Sequence, residues 1–394
     1  RDRSPSRGLG DVYKRQPNDR FNYGDLLFPH VIQYYFKDCV DKIIFCSTTK
    51  SDLSKFGGVP TKSFRSLFNA KIKDDNFLIV AGGDSLFIDW QTILSFVDPY
   101  AKFFYIADNF IGSSILSALY KKIKYHASTF YPFSIGKDEL CNIKKVFYNS
   151  LGGSVLEQKK DSLFRQEITS ILKTVDYISV RDKSTHNLLK LIGVHNLMVP
   201  DSAILISDVF SEDFLSSHIS PTLKKILDKE YLFFQINAEH GNNKENYYAN
   251  LLSSIANEYK LHICLCPIGL APGHSDNIPL MKIQKRISNL STFINNPTIW
   301  DIMYLIKYAK IFIGTSLHGT ITAMSFGTSY VSHGPLKLKN YIMTWVDNGE
   351  EYFVEDYLKL EESIRKTLNR KNLPISNSQK WRVIESFKNI KQQM

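Results

Sequence analysis

The sequence predicts an α/β protein of two successive βα domains whose parallel sheets face a cleft, followed by C-terminal helices. Three observations predict it. Short β-rich apolar runs alternate with amphipathic stretches of helical period. This series breaks over residues 207–229, which hold no clear strand, and then begins again. Glycine-rich or polar turns stand at the ends of four strand-like runs, where parallel sheets bind ligands. The chain is therefore read as two Rossmann-like domains, residues 17–210 and 211–345, with helices over 346–394.

In the first domain YGDLLFPHVIQYYF reads as a helix, DKIIFCST as a strand, and DDNFLIVAGGD as a buried strand entering a glycine turn. KFFYIAD and KKVFYNSLGG read as further strands. SLFRQEITSILKTV is helical, with Leu163, Ile168, Ile171 and Leu172 on one stripe. DYISVRD is a strand, KSTHNLLKLIGV a helix ending near Gly193, and NLMVPDSAI a strand leaving at Pro200-Asp201. The second domain runs in the same order: strand YLFFQIN, helix NKENYYANLLSSIANEY, strand LHICLCPIG. TIWDIMYLIKYA follows as a helix with the Thr298…Asp301 spacing of a capping box. KIFIGTS is a strand, LHGTITAMSFG a short helix closed by Gly327, and TSYVSHG another strand. DYLKLEESIRKTLNR and SNSQKWRVIESFKNIKQ form the helical tail.

Composition excludes several classes. At 43% apolar and 22% charged residues the chain is globular rather than disordered. Its longest apolar runs have strand length, well below the roughly 20 residues of a membrane span. Five cysteines without a Cys-x-x-Cys pair fit reduced thiols in a cytoplasmic protein, not a disulfide framework or a zinc site. The net charge of +10 favours anionic partners, but its basic residues are scattered, which argues against nucleic acid. Residues 1–16 hold five basic and two acidic residues, so +3 of that charge lies there. They include SRGLGDVYKRQ, which resembles a translated sequencing adapter, and are set apart as an artefactual N-terminal segment. The first domain is then expected to lack its natural opening strand or to recruit Val12-Tyr13 as a poor substitute.

Four strand-end motifs carry the chemistry. In FNYGDLLFP, Asn22 and Gly24 suit a tight turn, and Asp25 either caps the following helix or holds a substrate hydroxyl or anion. In IVAGGDSLF, Gly82 and Gly83 allow close backbone approach, and Asp84 is placed to act as a base or bind a sugar hydroxyl. In YISVRDKST, Arg181 suits a carboxylate or phosphate, or pairs with Asp182, Asp176 or another neighbour. In IFIGTSLHGTITAMSFG, Gly314, Thr315, Ser316, Leu317, His318 and Gly319 form a strand-to-helix turn favourable to an anion. Two weaker features are His274 and Asp276 on a loop able to reach the cleft, and Lys337 with Lys339 as an anion clamp or solvated loop.

In this order and spacing, NYGD, AGGD, SVRDKST…G…PDSA and IGTSLHGTITAMSFGTSYV resemble the polysaccharide pyruvyl transferase family, from about residue 20 to about residue 340. The resemblance implies a GT-B-like architecture, with the first domain on the acceptor side and the second on the donor side. It implies transfer of a pyruvyl group from phosphoenolpyruvate to a sugar of a surface polysaccharide, forming a ketal without metal or redox cofactor. Phosphoenolpyruvate and a glycan or lipid-linked sugar are then the partners, in the cytoplasm, with peripheral association at the inner membrane face. By resemblance Arg181 holds the donor and His318 acts as acid/base or phosphate ligand. Asp84 is the acceptor-side carboxylate, with Asp25 second. The remaining turn residues named above, with His274 and Lys337, contact substrate.

One departure stands out. The family has Arg where this chain has Ser316, so a donor cation is missing unless Lys337, Lys339 or His274 replaces it. A nucleotide-sugar glycosyltransferase on the same architecture is the alternative, and a non-catalytic glycan- or nucleotide-binding homologue is a second.

Overall fold

A computed structural model describes residues 11–15, 20–66, 76–127, 129, 131–140, 143–153, 162–223, 226, 228–270, 275–370 and 377–394. Among these, thirteen strands form two sheets, and every pairing between strands is parallel. The first contains β1 (Val12–Arg15), β2 (Ile43–Ser47), β3 (Lys62–Ser63), β4 (Phe77–Ala81), β5 (Lys145–Leu151), β6 (Tyr177–Val180) and β7 (Leu197–Met198), in the order 3-2-1-4-5-6-7. The second contains β8 (Tyr231–Gln235), β9 (His262–Leu265), β10 (Ser291–Phe293), β11 (Ile311–Gly314), β12 (Tyr330–His333) and β13 (Phe353–Val354), in the order 10-9-8-11-12-13. Both repeat the doubly wound Rossmann order, so each sheet has a switch point, at β1/β4 and at β8/β11.

Period-two alternation builds the layers. In β4, Phe77, Ile79 and Ala81 face one core while Leu78 and Val80 face another. In β8 and β11, Phe233 and Phe312 enter the core shared with the first domain, whereas Leu232, Phe234, Ile311 and Ile313 enter an outer one. The shared core also takes helix Tyr23–Phe36, helix Leu317–Phe326 and the last helix, Asn377–Gln393. That last helix belongs to the tail by sequence but packs on the first domain. Tyr177 Oη lies 2.7 Å from Ser386 Oγ, and Lys145 Nζ donates to the Gln393 carbonyl at 2.6 Å.

Most expected elements are present, including the Thr298–Asp301 capping box. One is corrected. KFFYIAD is not a strand but lies inside helix Pro99–Ile111, started by Asp98 at the cap and Pro99 in the first turn.

Strand β1 is formed by the adapter-like residues, as the recruitment alternative expected. The cost falls on Lys14, fully buried between the Phe28 and Phe45 rings with no hydrogen-bond partner on Nζ among the described residues. Burial drives its pKa well below the usual 10.5, against a smaller opposing effect of Asp25. Between that lowered value and 10.5 the unfolded chain binds the extra proton, so native stability rises with pH across this window. Lys14→Met is expected to stabilise the fold by about 1–3 kcal/mol at neutral pH and to flatten this pH dependence, as urea midpoints will read.

Candidate functional site

The carboxyl ends of both switch points converge on one cavity of about 210 Å³ between the domains. The domains are laced at its mouth, where Asn22 bridges to Gly269 and the Tyr23 N–H donates to the Ile268 carbonyl at 3.2 Å. Behind it, Tyr23 Oη lies 2.8 Å from Thr322 Oγ1.

The loop after β1 enters helix Tyr23–Phe36 at Asn22, whose side chain does not cap it. Asn22 Nδ2 instead donates to Asp25 Oδ2 at 2.9 Å. Asp25 is therefore not the cap but a buried first-turn carboxyl on the cavity wall. Burial raises its pKa, opposed by Arg20, His318, Lys337 and the Asn22 bond. Gly24 is fixed by a neighbour, since a Cβ there would fall inside the His318 imidazole.

After β4, Gly82 and Gly83 both take positive φ, 73° and 77°. A Cβ on Gly82 would enter the Phe28 ring, so this glycine is packed rather than exposed to ligand. Asp84 follows on the cavity wall, its Oδ1 3.9 Å from Arg181 Nη2.

Arg181 stands behind the cavity wall. Its side chain is 2% exposed and is not among the residues lining the cavity. Its Nη1 pairs with Asp201 Oδ2 at 2.9 Å rather than with Asp182 or Asp176. Asp182 caps helix Lys183–Leu191 by accepting from the Thr185 N–H. Burial would lower the Arg181 pKa, but Asp201, Asp84 and Asp182 raise it. Asp201 is fully buried; burial pushes its carboxyl up, yet His318, Arg181 and the Ala203 N–H bring it below the ordinary range. Asp201 Oδ2 also lies 3.5 Å from His318 Nε2, an ion-pair separation too loose for a hydrogen bond. Arg181 thus holds Asp201, and Asp201 orients His318, whose ring also meets Phe28 edge-on at 5.3 Å.

His318 sits in the first turn of helix Leu317–Phe326. Ser316 is its cap, with Oγ accepting from the Gly319 N–H at 3.2 Å, which gives this serine a local structural task. Gly314 and Gly319 are packing positions, because a Cβ on either would press on Phe312. Thr315, Ser316, Leu317 and His318 line the cavity.

Beside this turn, Gln235 links two turns. Its Oε1 accepts from the Thr315 N–H at 3.0 Å and its Nε2 donates to Asp276 Oδ2 at 2.8 Å. That same Oδ2 accepts from the Ile268 and Gly269 N–H groups, each at 2.9 Å. Oδ1 of Asp276 is buried and has no hydrogen-bond partner among the described residues. Burial raises this carboxyl to about 6, against those three donors. Lys337 lines the cavity without an ion pair among the described residues, whereas Lys339 is paired with Glu355 at 2.8 Å and is no clamp. His274 lies outside the described residues.

Site residues the sequence reading passed over include Asp201, behind the cavity, and Arg20, Gln235, Asn237 and Glu239 on its wall. Asp201 stood inside the quoted PDSA run; nothing local marked Gln235 or Arg20.

The sequence profile described as polysaccharide pyruvyl transferase matches residues 22–331. No curated protein sequence matches the chain. Among solved structures, the S. aureus MnaA–UDP complex is similar at TM-score 0.58 and 12% identity, covering 98% of this chain and 97% of that one. UDP-GlcNAc 2-epimerase of Methanocaldococcus jannaschii, in complex with UDP-GlcNAc and UDP, is similar at 0.55 and 12%, over 98% and 99%. That of Rickettsia bellii is similar at 0.56 and 12%, over 98% and 96%. These likenesses are likenesses of fold, the two-domain GT-B arrangement.

Proposed function

The chain belongs to the polysaccharide pyruvyl transferase family, and on that premise we propose that its cleft transfers the pyruvyl group of phosphoenolpyruvate to a sugar diol as a ketal. One observation carries the reading. A single cavity brings together an oriented imidazole (His318), a lysine without an ion pair among the described residues (Lys337) and a carboxyl with a bare oxygen (Asp276). Phosphoenolpyruvate carries a phosphate and a carboxylate, which Lys337, His318 and the start of helix Leu317–Phe326 are suited to hold.

In this reading Asp276 protonates the enol methylene from Oδ1, because its other oxygen already accepts three hydrogen bonds. A sugar hydroxyl adds to the adjacent carbon and gives its proton to Asp84 or His318. The second hydroxyl closes the ketal as the carbon–oxygen bond to phosphate breaks. Of the two hydroxyl protons, one is balanced by the new methyl hydrogen and the other leaves with phosphate. Arg181 and Asp201 act through His318 as positioning residues.

Phosphoenolpyruvate is expected to raise the melting temperature of the purified protein, and UDP- or GDP-sugars are not. The opposite pattern would reassign the cleft to nucleotide-sugar chemistry, and no response to either would indicate a homologue without chemistry. Screening acceptors with phosphoenolpyruvate and weighing the product by mass spectrometry then reads the transfer directly. In that assay Asp276→Asn is expected to lower kcat about 10²–10⁴-fold. It should also remove a decline of kcat/KM in wild type above about pH 6, where Asp276 loses its proton.

A further inference from the structure

The connection from β4 to β5 begins on the cavity wall at Gly83–Ile88 and then builds a helical hairpin, Pro99–Ile111 against Ile115–Tyr125. This hairpin is inverted in polarity. Its acids are turned inward. Asp98 accepts from Tyr120 Oη at 2.7 Å, Lys124 Nζ at 2.9 Å and Tyr125 Oη at 2.5 Å, and Asp108 accepts from the Leu116 and Ser117 N–H groups. Phe104 stacks on Tyr120 at 4.4 Å, and Gly112 turns the chain with φ 68°. The outer side is apolar. Tyr100 is 71% exposed, Phe103 68%, Phe110 88%, Ile111 64%, Ile115 68% and Ile123 64%.

Water-soluble monomers seldom expose contiguous apolar patches beyond a few hundred Å². Here the helices are tied together by their polar groups, so the exposure is built in rather than a frayed edge. Residues 98–125 contain four lysines (Lys102, Lys121, Lys122, Lys124) against two buried acids, Asp98 and Asp108, of which Asp98 pairs with Lys124. Among the described residues no helix is long and apolar enough to cross a membrane.

We propose that this hairpin is a docking surface for an anionic lipid bilayer, its aromatic and aliphatic side chains entering the headgroup boundary and its lysines meeting lipid phosphates. The charge selects this occupant over a second copy of the chain. A two-fold contact through the same face would bring like-charged lysines together, whereas anionic headgroups neutralise them. The hairpin continues from the wall that holds Asp84, so docking places the acceptor side of the cleft beside the membrane. This consequence rests on the pyruvyl-transfer reading, with a lipid-linked sugar as acceptor. Lipid binding itself does not.

The test is flotation of the full chain with phosphatidylcholine vesicles, with and without phosphatidylglycerol, at low and high salt and without either substrate. Wild type is expected to float with phosphatidylglycerol vesicles and to be released by salt. Phe103→Ser with Phe110→Ser should lower the partition about tenfold or more at unchanged melting temperature, since both side chains are exposed. Lys102→Gln with Lys122→Gln should remove the salt-dependent part. Three results would overturn the proposal: no flotation of wild type, flotation indifferent to these substitutions, or a dimer in ultracentrifugation that Phe103→Ser with Phe110→Ser dissolves while vesicles remain unbound.

Discussion

Gly24→Ala is expected to cost at least about 10²-fold in turnover, the penalty of displacing by roughly an ångström the imidazole proposed above to act on substrate. The backbone there is the first turn of a helix, which alanine favours, so the whole effect comes from the added methyl and the His318 ring competing for one space. The ring cannot yield freely, because Phe28 and Asp201 hold it from other directions. A double-mutant cycle isolates the cause. The stability lost in Gly24→Ala should return when His318→Ala is added, while turnover stays absent. Equal loss of stability in the single and double variants would show that the methyl strikes something other than the imidazole.

Asp201→Ala is expected to be the most destabilising substitution at the site, by about 3–5 kcal/mol, because it leaves Arg181 a buried cation without its closest counter-charge. For domains of this size that corresponds to a melting temperature lower by roughly 6–20 °C. Pairing Asp201→Leu with Arg181→Met removes both charges and should recover much of the stability but not the activity, since His318 then lacks its orienting carboxylate. The pH dependence has a definite sign. The folded Asp201 carboxyl lies below 3.8, so its contribution is complete above that value and is lost as the pH falls through the folded pKa. Acid unfolding of wild type should therefore steepen below pH 3.8, and the double variant should lack that component.

The strand-end motifs were legible because each is local. Alternation marks a strand, and paired glycines or a Ser-x-x-Gly run mark the turn beyond it. Asn22, Asp25, Gly83, Asp84, Ser316 and His318 all reach the cavity from such motifs, and Lys337 from one of the weaker features. What was hidden depends on distance along the chain. Arg181 and Asp201 are paired across the end of the sheet, and Gln235 joins Thr315 to Asp276 through two turns that are remote in sequence. No periodicity encodes such contacts. Strands β3, β10 and β13 have two or three residues each, too few to show a period. The error at Lys102–Asp108 has another origin. Phe103 and Ile106 of that run are exposed, so a rule that reads apolar runs as buried was applied to a surface where it fails.

The return of helix Asn377–Gln393 to the first domain bears on how the cleft can move. A pair of domains joined by one crossing can swing and twist about a single flexible point. Here the chain passes from the first domain to the second, and its last helix is seated on the first again. Lys380 is also anchored to Asp208 at 2.6 Å beside the outgoing crossing. A further tie crosses the seam, because Gln379 of the same helix donates to the Trp345 carbonyl at 3.0 Å. Separating Asp25 and Asp84 from His318 and Lys337 would therefore strain that helix as well as the core the domains share.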